Sequence, residues 1–281
     1  MSGPGSSDAV RLIRSPAAPS CVQMSELRVD PVPCLKDNYA WLAYDREDGV
    51  CAIVDPAEAA PVRAALAAKG LRPTHILNTH HHADHVGANL ELKAEYGLTI
   101  VGPAKDAERI PGIDVGVVEG DHFRLGRHSA RVLEIPAHTR GHIAFAFEED
   151  EVLFPGDTLF AMGCGRLFEG DPPTMWASLS KLMRLSDALR VYCAHEYTEA
   201  NGRFALVLEP GNEKLQRRMD NVRDIRAKGL PTLPSTIGWE KDTNPFLRPA
   251  SPEIRRNLGL ESAPDVDVFA EARRRKDGFG G

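Results

Sequence analysis

Short apolar runs separated by turn residues fill the first two-thirds of the chain, a pattern of strands interleaved with a few helices. Residues 39–44 and 50–54 flank the polar stretch 45–49, which predicts a β-hairpin. An Ala-rich helix opens at Asp55-Pro56 and stops at Gly70, a residue suited to a left-handed helix end. Residues 74–78 predict another strand, and 87–96 a helix closed by Gly97. Further strands are expected at 98–101, 115–118, 130–135, 143–147, 152–154 and 191–194. Between the last two lies a helix over 172–185, with Asp171 as N-cap and Pro172 in its first position. Beyond 197 the character changes: 212–228 is charged and amphipathic, 252–258 and 266–276 are helical, and no comparable strand appears. Two strand-rich halves flanked by helices predict an α/β protein, a four-layer αββα sandwich rather than a parallel βαβ wind. That sandwich spans 26–197, and a helical unit follows over 198–281.

Composition narrows this picture. The 281 residues, 42% hydrophobic and 26% charged, allow a substantial core without disulfide support. The formal net charge of −6 argues against a general nucleic-acid binder, which needs a basic face. The cysteines Cys21, Cys34, Cys51, Cys164 and Cys193 are scattered and form no C-x-x-C pair, the usage of a reducing compartment. No apolar run is long enough to span a bilayer, so the expected location is cytoplasmic. Residues 1–25, rich in Ser, Pro, Gly and Ala, lack the apolar segment of a secretory signal and are expected to be a disordered leader without chemistry; Met24 stands just before the first strand-like stretch.

The densest chemistry lies in Thr79-His80-His81-His82-Ala83-Asp84-His85, directly after a strand. In extended backbone His80 and His82 project to one side, so one metal can take both, while Asp84 and His85 can address a second. His81 points the other way and is expected outside the metals. Three more donor-type side chains sit at the tips of apolar β runs: His138 after 132–135, Asp157 after 152–154, and His195 after 191–194. Rigid sheet scaffolds present their sites at such tips. His142 is expected to orient its loop by hydrogen bonding. His75, His122 and His128 have no motif context, and Asp55 is read as a helix cap.

Taken in order, H-x-H-x-D-H, H-T-x-G-H, G-D-T-L-F and the late C-x-H-E-Y resemble the signatures of the metallo-β-lactamase superfamily. More narrowly they resemble glyoxalase II, the hydroxyacylglutathione hydrolases, from about Leu27 to the C-terminus. The resemblance implies that His80, His82 and His138 hold one metal. Asp84, His85 and His195 would hold the other, and Asp157 would bridge. It further implies that Gly163-Cys164-Gly165-Arg166-Leu167-Phe168-Glu169-Gly170, with Tyr197, holds glutathione. Arg273 and Lys276, in a segment similar to R-x-x-K-D, would contact its carboxylates. Arg166 and Phe168 stand where many family members have Lys and Tyr; the Arg keeps the charge and alters its geometry.

Such a centre lowers the pKa of a shared water from 15.7 toward roughly 7, polarises the attacked carbonyl, and needs no Ser or Cys nucleophile. Asp84 and Asp157 would orient the hydroxide. The implied reaction is hydrolysis of S-D-lactoylglutathione to glutathione and D-lactate, the second step of methylglyoxal detoxification. The implied cofactors are two divalent ions, zinc foremost, with iron or manganese also compatible. The expected partner is a small glutathione thioester, bound by a monomer without nucleic acid or membrane. Other enzymes of the fold, a persulfide dioxygenase or a lactonase, are the alternatives, and a metal-binding scaffold without turnover is the non-enzymatic one.

Overall fold

A computed structural model describes residues 26–280; the expectation for the leader lies outside them. The first half runs β1 (Arg28–Cys34), β2 (Asn38–Asp45), β3 (Val50–Val54), α1 (Ala59–Lys69), β4 (His75–Leu77), α2 (Ala83–Val86), α3 (Asn89–Tyr96), β5 (Thr99–Pro103) and β6 (Val115–Val117). These strands form one six-stranded sheet in chain order, antiparallel from β1 to β3 and parallel from β3 to β6. The second half contributes β7 (His122–Leu125), β8 (His128–Glu134), β9 (Ile143–Phe147), β10 (Val152–Phe154), the small hairpin β11 (Leu159–Phe160) and β12 (Gly163–Cys164), α4 (Pro172–Leu182) and β13 (Arg190–Val191). The chain ends with α5 (Thr198–Leu208), α6 (Glu213–Ala227), β14 (Ser235–Thr236), α7 (Ile237–Thr243), α8 (Pro252–Leu258) and α9 (Asp265–Asp277). The second sheet has the order β14-β13-β10-β9-β8-β7.

The layering follows from β2, whose side chains are buried on both faces. Tyr39, Trp41 and Ala43 join Val132, Phe145 and Leu153 in the core between the sheets. Ala40, Leu42 and Tyr44 face the other way, onto Val62 and Leu66 of α1 and Leu92 of α3. Alternation at period two thus builds two apolar layers from one strand. On the second sheet α4 covers the outer side, and Ser178 Oγ donates to the Pro136 carbonyl at 2.7 Å. The expected metallo-β-lactamase αββα architecture with helices appended at the C-terminus is the one observed.

Three local expectations change. The helix expected over 87–96 starts only at Asn89, as α3, and a separate short helix, α2, precedes it; between them the Ala88 amide bonds Pro56 and the chain at Gly87 presses against the Ala57 carbonyl. Asp84 and His85 thereby sit on their own short turn. The strand expected over 191–194 shortens to Arg190–Val191. Its continuation pairs across the sandwich instead: Tyr39 N donates to Ala194 O at 2.7 Å, and Trp41 Nε1 to Cys193 O at 3.1 Å. Finally, β14 arises within the helical region and closes the edge of the second sheet. Cys34, Cys51, Cys164 and Cys193 are buried free thiols, and among the described residues no helix is long and apolar enough to cross a membrane.

Candidate metal centre

The loop after β4 and the tips of β8, β10 and β13 converge at one end of the sandwich. His80 Nε2 and His138 Nε2 each lie 3.1 Å from His82 Nδ1. His195 Nε2 lies 3.4 Å from Asp84 Oδ2 and 3.3 Å from Asp157 Oδ2. His85 Nε2 is 3.6 Å from Asp84 Oδ2 and 3.5 Å from Asp157 Oδ1, and His138 Nε2 is 3.4 Å from Asp157 Oδ2. Tetrahedral ligands at a metal distance of about 2.0–2.1 Å are separated by about 3.3–3.4 Å. The donor atoms therefore stand at the spacing of ligands around ions rather than of partners bonded to one another. Two donor groups result, His80–His82–His138 and Asp84–His85–His195, with Asp157 facing both.

Two observations test whether these residues suit metal. His85 Nε2 and Asp157 Oδ1 are fully buried and make no hydrogen bond, a costly arrangement that a shared cation satisfies. The far nitrogens of three imidazoles are also engaged. His80 Nδ1 donates to Thr79 Oγ1, whose hydroxyl donates on to Asp55; His138 Nδ1 donates to the Arg166 carbonyl at 2.9 Å; and His195 Nδ1 donates to Asp37 at 2.9 Å. His85 Nδ1 lies 3.1 Å from Asp55 without a hydrogen bond. Each engaged Nδ1 leaves Nε2 directed inward. Burial alone would lower the pKa of His85 and His195, but without metal the Asp157 carboxylate outweighs it and raises both, so ligation displaces their protons. Burial lowers the pKa of His80, His82 and His138, that of His82 to about 4, which keeps these rings neutral as ligation requires. Burial alone would raise the Asp157 carboxyl, but the His85 and His195 rings hold it well below the usual range. The donor set fits a pair of divalent cations.

The structure brings every expected donor together and leaves His81 outside, where its Nδ1 bonds Asp106 at 3.0 Å. His142 stacks on His80 and accepts the Asp157 amide at 3.1 Å, the orienting role expected of it. Asp55 is not a helix cap. The N-cap of α1 is Glu58, while buried Asp55, with φ +50°, accepts from the Thr79 amide and hydroxyl and faces His85. His128, which no motif marked, is sealed between Asp45 and Asp150.

A cleft of about 460 Å³ opens beside the donors, lined by His82, Asp84, His138, Asp157 and His195 and continued by residues of the helical region. Arg166 and Phe168 stand well exposed there, and the Phe168 ring meets His82 and His138 edge-on. The Tyr197 ring stacks on His195 at 4.7 Å. Lys276 is half-buried over Phe204 and Phe279, and burial, then Arg273, Arg203 and Arg166, lower its pKa to about 8. Arg273 lines the cleft as well, though only 5% exposed: its Nη1 donates to the Cys164 carbonyl at 2.8 Å and its Nη2 to Asp277 at 2.9 Å, while its Nε is buried without a partner. Asp37, Asn38 and Asn201 carry no motif in the sequence. Asn38 Nδ2 holds Asp84 Oδ2 at 2.9 Å, and Asp37 accepts from His195; Asp37 ends the turn after β1, Asn38 opens β2, and the bridge between Asn38 and His195 brings both to the site.

The comparisons agree with this geometry. Residues 37–195 match the metallo-β-lactamase superfamily model, and residues 196–279 match the model of the hydroxyacylglutathione hydrolase C-terminus. A hydroxyacylglutathione hydrolase of Methylococcus capsulatus is 57% identical over 91% of this chain and all of its own length. One of Rhizobium meliloti is 50% identical over the same shares. Among solved structures, ETHE1 from Myxococcus xanthus superposes with a TM-score of 0.62 at 24% identity, covering 90% of this chain and all of its own, which speaks for the fold alone. TTHA1623 in a di-iron-bound form gives 0.57 at 28% identity over 78% of this chain and all of its own. With both halves matched in order and relatives half-identical along nearly the whole length, the chain belongs to the hydroxyacylglutathione hydrolase family of the metallo-β-lactamase superfamily.

Proposed function

We propose that the chain hydrolyses the thioester of S-(2-hydroxyacyl)glutathione, with S-D-lactoylglutathione as substrate and glutathione and D-lactate as products. The observation that carries this reading is a shared cleft: metal-donor side chains and the cations Arg166 and Lys276 line one cavity. His80, His82 and His138 would hold one ion, Asp84, His85 and His195 the other, and Asp157 both; zinc suits this nitrogen-and-carboxylate set, and iron or manganese are compatible. Two such ions, when bound, supply an acidified water and polarise the thioester carbonyl.

The chain's own residues do the positioning. Asn38 and Asp37 fix Asp84 and His195, and Asp55 fixes Thr79 beside His85. Arg166 and Lys276 offer charge to the carboxylates of glutathione, with Arg273 adding potential from the cleft wall. Phe168 and Tyr197 pack on metal-donor rings and flank the peptide. Burial, then the carboxylates Asp37, Asp157 and Asp84, keep the Tyr197 hydroxyl protonated and able to donate. We take the chain to act as a monomer, and buried free thiols suit a reducing, cytoplasmic setting. We take 26–197 as the metal-bearing unit and 198–281 as the helical one. A persulfide dioxygenase or lactonase reaction is not favoured, since residues 196–279 match the hydrolase C-terminus.

Release of free thiol from S-D-lactoylglutathione, monitored with a thiol reagent, tests the proposal. It should be abolished by a chelator and restored by zinc. Full metal occupancy without thiol release from any acylglutathione would overturn it.

A further inference from the structure

The hairpin β11–β12 comes directly after Asp157 and turns through Met162, at φ +53°. Its two strands are too short to hold themselves, sharing only the pairs Leu159–Cys164 and Phe160–Gly163. Side chains of the helical region complete it. Asn244 Nδ2 donates to Phe160 O at 3.2 Å and to Gly163 O at 2.9 Å, and Asn201 Nδ2 donates to Ala161 O at 3.1 Å. Glu240 Oε2 accepts the Met162 amide at 2.7 Å, and Arg273 Nη1 donates to Cys164 O. Every residue from Phe160 to Cys164 thus has a backbone group in the grip of a side chain from beyond residue 198. Glu240 is itself anchored, fully buried, by Arg218 at 2.7 Å and by Ser235.

The two residues after the hairpin, Gly165 and Arg166, touch the metal donors. Gly165 runs so close that a Cβ there would lie 2.0 Å from the Asp157 carbonyl oxygen and 3.0 Å from His138 Nδ1. The next carbonyl, that of Arg166, accepts the His138 Nδ1 proton at 2.9 Å. A shift of the hairpin therefore moves the group that sets the tautomer and angle of a metal-donor ring.

We propose that Asn244, Asn201 and Glu240 are positioning residues of the metal centre, holding residues 160–164 so that the Arg166 carbonyl orients His138. The helical region then has two tasks, lining the cleft and setting the metal geometry, with Glu240 and Asn244 standing 45 and 49 residues downstream of the last metal donor, His195. This inference rests on the assignment of His138 as a metal donor.

The test uses the full chain with Asn244→Ala and Asn201→Ala, beside Leu258→Ala, a core truncation in α8 at a residue whose side chain makes none of the hydrogen bonds to the hairpin. Zinc affinity is read by chelator competition, and kcat and KM with S-D-lactoylglutathione well below the melting temperature. The two Asn variants should lose about tenfold or more in zinc affinity and in kcat, with KM changed by less than about threefold. Leu258→Ala should lower the melting temperature and leave zinc affinity as it was. If Asn244→Ala does not fold, Asn201→Ala carries the measurement. Wild-type zinc affinity and kcat in the folded Asn variants would overturn the inference. A wild-type chain that binds no zinc would instead overturn the metal assignment itself.

Discussion

Asp157 shows how much one side chain can be asked to do. Its oxygens stand 3.3–3.5 Å from His85, His138 and His195, so removing it withdraws a donor from both groups at once. Asp157→Ala should bind fewer than two metals per chain and lose on the order of 10³-fold in kcat, because metal catalysis supplies several kcal/mol. Two tightly held ions in that variant, measured by elemental analysis, would contradict the bridging role. Lys276 makes a different prediction. The groups facing it are Arg273, Arg203 and Arg166, which oppose its charge, and Asp277, which favours it. With its pKa lowered to about 8, it is charged below that pH and loses its proton as pH rises through it. KM should therefore rise severalfold between pH 7 and 9.5, and Lys276→Met should lack that rise. A KM independent of pH in the wild type would remove Lys276 from carboxylate binding. The donor types at 80–85, 138, 157 and 195 were legible because each sits in a local pattern at the tip of an apolar run. Asp37 and Asn38 were not, since residues at the join of a turn and a strand acquire their role from whatever crosses them.

At the scale of elements, periodicity found the strands carried by apolar runs and missed those of mixed composition or of only two residues, such as β7, β11, β12 and β14. β9 and β10 matched their expected bounds because every residue is apolar and buried. β7, with His122 and Arg124 exposed, carried no such signal. α7 was also missed, being short and polar, although Thr236 caps it by accepting the Trp239 amide at 3.1 Å. The hairpin β11–β12 is the element on which function turns most. A methyl group at Gly165 has no room against the Asp157 backbone, so Gly165→Ala should displace the segment that carries Arg166. The expected outcome is a kcat reduced about tenfold or more with zinc held less tightly, read by steady-state kinetics and chelator titration. Unchanged kinetics would mean that the segment yields without disturbing His138.

For the whole molecule, the metal centre is a joint. Its donors come from the loop after β4 in the first sheet, from the tips of β8 and β10 in the second, and from the segment that pairs with β2 across the sandwich. Ions bound there favour the folded state over the unfolded one. At a hundredfold excess over Kd the gain is about 2.7 kcal/mol. At roughly 2 °C per kcal/mol for a chain of this size, chelation should lower Tm by several degrees, and zinc should restore it. A melting curve indifferent to both would show that the donors do not tie the sheets together through metal.

The amino-acid sequence by itself determined the sandwich and the donor set, because alternation at period two and the spacing of His80, His82, Asp84 and His85 are local properties of the chain. It also marked Arg166, Tyr197 and Lys276, through motifs close to a strand tip or a helix end. Tertiary structure decided that Arg273 is committed to the Cys164 carbonyl, that Asp55 supports the metal loop, and that Asn201, Glu240 and Asn244 hold a hairpin far upstream. Hydrogen bonds between residues 24 to 109 positions apart leave no periodic trace, since they depend on where the layers bring the chain and not on its neighbours in sequence.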